Sequence, residues 1–158
     1  MITIEQVKDS ASISLEQYML PAKQMFFSGH PRYILSVQRA DYAAFIIKKD
    51  NDVIGVFALD RCDILNKIDA PSTAIYLRGL SIDYKYQGSG ILKEVLPLIE
   101  TYIKSNYADV WAIYLMVNVK NDAYYAFIKC GFIDQKMMVR QGFSRLKVLK
   151  KIINNVPD

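Results

Sequence analysis

The sequence predicts an α/β fold, a single domain in which a mixed β-sheet is flanked by helices. Three observations carry this reading. The chain has 158 residues, 52% hydrophobic and 23% charged, which suits one packed domain rather than a disordered chain. Runs of β-branched and aromatic residues of strand length alternate with stretches whose apolar residues follow helical spacing. No internal repeat, linker or low-complexity tract divides the chain, so one domain is expected over residues 1–158.

The elements follow in order. Ile2–Val7 (ITIEQV) alternates and reads as a first strand. Ser12–Phe27 reads as a helical region interrupted at Pro21, which can open a second helix at its first turn. Gly29–Arg32 (GHPR) reads as a loop. Tyr42–Lys49 and Val53–Leu59 are strand-like runs joined by a tight hairpin at DND. Arg61–Thr73 reads as a polar loop, and Ala74–Ile82 as another strand. Gly88–Lys104 places Ile91, Leu92, Val95, Leu96, Leu98, Ile99 and Tyr102 at amphipathic-helix spacing, with Pro97 inside it. Val110–Val117 is a buried-type strand. Asn121–Lys129 is a short helix with Gly131 as its C-cap. Ile133–Val139 and Phe143–Leu149 close the sheet around Gln141-Gly142.

The longest apolar runs, Ala43–Ile47 and Val53–Leu59, are too short to span a bilayer, and the N-terminus has no long apolar stretch of a signal peptide. A cytoplasmic location and no membrane partner are therefore expected. Two cysteines, Cys62 and Cys130, make no disulfide framework, and Cys130 reads as a buried inert thiol. One histidine, His30, with no Cys/His cluster, argues against a metal site. The net charge of +4 gathers near the end, at Lys136, Arg140, Arg145, Lys147, Lys150 and Lys151. A nucleic-acid surface would need such a patch. A solvated face of the last strands explains it more simply, and a basic surface also suits a polyanionic cofactor.

Asp83–Leu96 (DYKYQGSGILKEVL) holds two glycines between a strand and a helix. The first N–H groups of a helix have no intrahelical acceptor and point outward at the positive end of the dipole. Glycines let an anion approach that backbone. The same residues would also make a plain tight turn.

Three stretches together are more specific: LSIDYKYQGSGILKEVL (Leu80–Leu96), IYLMV (Ile113–Val117) and NDAYYAFIKCGF (Asn121–Phe132). In this order the sequence resembles the GNAT superfamily of acyl-CoA N-acyltransferases. The turn follows the family pattern Gln/Arg-x-x-Gly-x-Gly/Ala through Gln87, Gly88, Ser89, Gly90 and Ile91, with Leu92 in place of the final small residue. The resemblance implies a mostly antiparallel mixed sheet whose fourth and fifth strands splay apart. It implies acetyl-CoA as co-substrate. Its pantetheine arm would pair with the backbone of Leu80, Ser81 and Ile82, and its diphosphate would lie on the backbone of Gln87, Gly88, Ser89, Gly90, Ile91 and Leu92. The asparagine that helps hold CoA after the fifth strand corresponds best to Asn121, beside Lys120 and Asn118.

The resemblance also implies direct attack of an amine on the thioester in a ternary complex, without a covalent enzyme intermediate. Two positions depart from the family. Where many relatives carry a tyrosine that protonates the leaving thiolate, this chain has Phe127, and Tyr124 is the candidate substitute. Where some carry a glutamate base, this chain has Tyr76, a poor base at neutral pH, so a water relay is expected. Arg78 shares strand parity with Tyr76 and can bind an acceptor carboxylate or phosphate, or form an ion pair with Asp60 or Asp83. Phe27 and Tyr33 can wall an acceptor pocket or belong to the core. The expected function is acetyl transfer to a primary amine of a small molecule or peptide. The alternatives are a CoA-binding module with little catalysis and a basic nucleic-acid-binding protein. A homodimer stays open.

Overall fold

The computed structural model describes residues 1–155. The described residues form two compact units, one from residues 1–60 and 77–99, the other from residues 61–76 and 100–155. Strand β4 (Ala74–Ile82) contributes residues to both units.

In the first unit, β1 (Ile2–Val7) pairs antiparallel with β2 (Tyr42–Lys49), which pairs antiparallel with β3 (Asp52–Asp60). The hairpin expected at DND is present, with Asp50 at φ 56°, a left-handed conformation that aspartate tolerates. Phe45 and Phe57 face each other across β2 and β3, stacked at 4.8 Å and fully buried. A neighbouring cluster packs Leu35, Ala44, Ile46 and Val56 with Ile13, Leu15 and Tyr18.

Of the helical region expected over Ser12–Phe27, the second helix opening at Pro21 is present as α1 (Ala22–Ser28), whereas the first part is a 3₁₀ turn at Ser10–Ser12 followed by irregular chain. Ile13 and Leu15, two residues apart, both pack on the core, which an extended segment allows. The backbone carbonyls of Ser10 and Ile13 accept from the Arg32 guanidinium, each at 2.6 Å, in place of helical donors. Gly29–Arg32 is not wholly a loop, because Pro31 opens α2 (Pro31–Ser36) at its first position. His30 caps this helix, its Nδ1 accepting from the Arg32 N–H at 3.1 Å, which gives the single histidine a structural role.

In the second unit, β4 runs parallel to β5 (Ala112–Asn118). Strand β5 pairs antiparallel with β7 (Ser144–Ile152), and β7 pairs antiparallel with β6 (Ile133–Gln141). Among the described residues the β4–β5 register covers Ala74–Tyr76 against Ala112–Tyr114, the first part of β4. Residues 61–73 are not all polar loop. Ile64, Leu65 and Ile68 bury themselves beside Ala74, Tyr76, Ala112, Tyr114 and Val148, and this burial draws Ile64–Lys67 into the short helix α3. Helix α4 (Ile91–Asn106) accommodates Pro97 on its exposed side, while Ile91, Val95, Leu96, Ile99 and Ile103 are buried. Helix α5 (Ala123–Lys129) ends where expected, with Gly131 at φ 99°.

Half of the late basic cluster has intramolecular partners. Lys147 lies over the Tyr124 ring and Lys150 over Trp111, and Lys151 is paired with Glu100. No helix among the described residues is long and apolar enough to cross a membrane.

Candidate active site

The turn between β4 and α4 is held by its own hydrogen bonds. Asp83, almost fully buried, donates its N–H to the Ile54 carbonyl of β3 at 2.7 Å. Its carboxylate accepts from the Lys85 N–H at 3.0 Å, which shapes the short 3₁₀ turn Tyr84–Tyr86. Gln87 Nε2 donates back to the Ile82 carbonyl at 2.7 Å. The amides of Gln87 and Gln24 also donate to each other, at 2.6 and 3.1 Å, so the turn is fastened to α1 as well as to β4. Ser89 Oγ donates to the Tyr86 carbonyl at 2.8 Å.

Gly88 and Gly90 stand at φ 79° and 80°, where a side chain is strained. A Cβ built on either would meet nothing within 4 Å. Glycine is therefore favoured there by backbone conformation, and nothing crowds the side of the turn where a Cβ would stand. Helix α4 begins at Ile91, so its first N–H groups follow the second left-handed glycine directly. Such a turn can hold an anion such as a diphosphate. Leu92, where the family has a small residue, is half-buried.

Upstream, Leu80 and Ile82 are half-buried and Ser81 is buried. The Ser81 hydroxyl shares a 2.8 Å hydrogen bond with the Tyr18 hydroxyl, and burial raises the Tyr18 phenol far above its ordinary pKa. Gly79, at φ 63°, is the conformational singularity of β4. Its left-handed backbone interrupts the pleat, so the alternation that groups Tyr76 and Arg78 with Leu80 and Ile82 does not extend through it.

Arg78 Nε donates to Asp60 Oδ2 at 3.0 Å, and Arg39 donates to both oxygens of Asp60, at 3.1 and 2.9 Å. Of the alternatives open for Arg78, the ion pair with Asp60 is present. Arg39 and Tyr42, 5.1 Å apart in a cation–π contact, are additions that sequence reading missed. Burial pushes the Tyr42 phenol up to about 12, and its hydroxyl donates to the Ile34 carbonyl at 2.6 Å. The available signal was Asp60 itself, a carboxylate ending the apolar run VIGVFAL, which needs a cation if buried. Tyr33 is 65% exposed and Phe27 is half-buried, so Tyr33 is not core.

In the second unit, Tyr124 donates its hydroxyl to Asp134 Oδ2 at 2.9 Å. That bond raises the Tyr124 pKa, while the Lys136 N–H bonded to Asp134 lowers the carboxyl's. A phenol that holds its proton against a carboxylate is a weaker acid, which counts against Tyr124 as the donor to a thiolate. Phe127 is buried edge-on to Phe132, with ring centroids 5.6 Å apart. Tyr76 is 6% exposed and lies in the core cluster beside Tyr114, a poor place for a base. Asn121 uses its side-chain oxygen on the Ala123 N–H at 3.0 Å, so its amide nitrogen is what it can offer a ligand. Asn118 is buried, its oxygen accepting from the Lys120 N–H at 2.9 Å.

The model of the acetyltransferase (GNAT) family matches residues 12–132. No curated protein matches the chain. Among solved structures, the fold is similar to spermidine N-acetyltransferase from Vibrio cholerae in complex with CoA and spermine. The two share 15% identity with a TM-score of 0.70, over 96% of this chain and 95% of that one. It is also similar to the ribosomal-protein-S18-alanine N-acetyltransferase from Escherichia coli, at 15% identity and TM-score 0.66, over 100% and 97% of the two chains. A third is a GNAT family acetyltransferase from Elizabethkingia anophelis with acetyl-CoA bound, at 14% identity and TM-score 0.64, over 96% and 97%. These identities speak for the fold alone, whereas the family model spans most of the sequence, and on that match the chain belongs to the GNAT acetyltransferase family.

Proposed function

We propose that this protein is an acetyl-CoA-dependent N-acetyltransferase that moves an acetyl group to a primary amine of a small molecule or peptide in a ternary complex. The observation that carries the reading is the turn from Gln87 to Leu92, with two left-handed glycines opening onto the start of α4 and an open side next to them. Bound there, acetyl-CoA supplies an activated thioester. The backbone of Gln87 to Leu92 holds the diphosphate, and the backbone of Leu80, Ser81 and Ile82 takes the pantetheine arm. Ser81 contributes main chain, because its hydroxyl is engaged with Tyr18. Gln87 acts indirectly, fixing the turn to the Ile82 carbonyl.

Orientation of the amine against the thioester supplies much of the rate in such a reaction. With Tyr124 tied to Asp134 and Tyr76 in the core, water carries the proton from the amine and to the leaving thiolate. The same two observations favour a second reading, a CoA-binding module with little catalysis. Incubation with acetyl-CoA and a panel of amines, monitored by free thiol, separates them. Amine-dependent thiol release supports the transferase. CoA binding without release across the panel supports the binding module.

A further inference from the structure

Residues 17–24, which lead into α1, are tied by a set of hydrogen bonds to the stretch that leaves β4 for α4. The Tyr18 and Ser81 hydroxyls lie 2.8 Å apart. The Met19 carbonyl accepts from the Tyr84 N–H at 2.7 Å, and the Gln17 carbonyl accepts from Lys85 Nζ at 3.1 Å. Further on, Gln24 meets Gln87 in a reciprocal amide pair. Gln87 Nε2 donates to Gln24 Oε1 at 2.6 Å, and Gln24 Nε2 donates to Gln87 Oε1 at 3.1 Å.

This last pair meets a need of the turn itself. Gly88 and Gly90 have no side chains to anchor them, and glycine has the freest backbone of all residues. Anchorage between them and around them falls to Gln87 and Ser89. Ser89 Oγ donates to the Tyr86 carbonyl, inside the turn. Gln87 reaches out of it, to the Ile82 carbonyl at 2.7 Å and to Gln24. The bond to Ile82 alone would let the Gln87 amide swing about its last torsion, which is broad and soft. With Gln24 in place, both N–H groups and the oxygen of that amide are engaged. Its direction is then fixed, and with it the entry to the first left-handed glycine.

Building on the reading that the turn from Gln87 to Leu92 holds the diphosphate, we infer that Gln24 is a positioning residue for the cofactor. It acts through the Gln87 amide and holds the turn in the shape that the diphosphate needs. Helix α1 thereby shares in cofactor binding, because a turn shaped in advance spares the ligand the cost of ordering it.

Calorimetry with CoA and with pantetheine, which lacks the diphosphate, tests this. The ratio of the two affinities reads the turn and cancels effects common to both ligands. Gln24→Leu suits helix α1 as well as glutamine does and removes both amide bonds. The ratio should fall about fivefold or more in this variant. In Gln24→Leu combined with Gln87→Leu it should fall no further than in Gln87→Leu alone, because the two amides act as one unit. Ser28→Ala removes a bond to the Gln24 carbonyl within α1 and loosens that helix without touching the turn, so the ratio should stay at the wild-type value. A ratio that Gln24→Leu leaves unchanged, a further fall in the double variant, or an equal fall in Ser28→Ala overturns the inference while the diphosphate reading stands. A wild type that binds CoA no tighter than pantetheine removes the diphosphate reading itself, and the inference with it.

Discussion

Gly79→Ala isolates the close approach of α1 and α2 to β4. At φ 63° an L-residue is strained by about 1–2 kcal/mol. The added Cβ also meets Ile34 Cδ1 at 2.5 Å, Ile34 Cγ1 at 2.7 Å and the Ser28 carbonyl at 3.1 Å, and Ile34 is only 3% exposed. Overpacking of this kind costs about 1–3 kcal/mol. Gly88→Ala is the matched control: its φ of 79° is also left-handed, yet nothing lies within 4 Å of its Cβ. Backbone strain and the entropy change of the unfolded chain roughly cancel between the two variants. The difference, about 1–3 kcal/mol, is the packing of the helices on the strand. Urea unfolding followed by far-ultraviolet circular dichroism should place the Gly79→Ala midpoint about 0.5–1.5 M below that of Gly88→Ala, for a slope of about 2 kcal/mol/M. Coincident midpoints would refute the contact and, with it, the placement of α2 beside Arg78.

Two further outcomes follow from hydrogen bonds at the site. Tyr124→Phe should lower kcat less than tenfold, because its hydroxyl serves Asp134; a loss in the general-acid range of about 10²–10⁴, with chemistry limiting, would reinstate Tyr124 as the proton donor. Gln87→Leu removes the bond to the Ile82 carbonyl and the paired amide of Gln24, so it should destabilise the fold by about 1–3 kcal/mol and raise the Michaelis constant for acetyl-CoA, and calorimetry with a kinetic series would show both.

Strands were the most legible part of the sequence. Ala74–Ile82, Tyr42–Lys49 and Ile2–Val7 match the structure residue for residue, because apolar and β-branched runs bounded by turn residues have few alternatives. The segments misread were those whose conformation depends on distant partners. The stretch from Ile13 to Leu20 is irregular rather than helical, with Arg32 donating to the Ser10 and Ile13 carbonyls and with Ile13 and Leu15 packed on the sheet, none of which periodicity reveals. The β4–α4 turn was legible as a motif, although the reason for its glycines proved to be backbone conformation. For the catalytic candidates Tyr124 and Tyr76 the family resemblance supplies positions but not surroundings: the Asp134 partner of Tyr124 and the core cluster around Tyr76 appear only in three dimensions. Arg78 illustrates the same limit: strand parity found it, but the second arginine on Asp60 comes from a position 39 residues upstream.

Calorimetric titration of Gly90→Asp with CoA and with pantetheine tests whether the turn from Gln87 to Leu92 receives the diphosphate of acetyl-CoA. Aspartate tolerates the left-handed backbone better than most residues and can itself cap the first N–H groups of α4, so the helix start is retained. It also puts a negative charge and a competing acceptor where the diphosphate would sit. CoA affinity should fall at least tenfold, about 1.4 kcal/mol, while pantetheine, which lacks the diphosphate, should bind wild type and variant alike. A folded Gly90→Asp protein that binds CoA as tightly as the wild type would mean that the diphosphate does not lie on this turn.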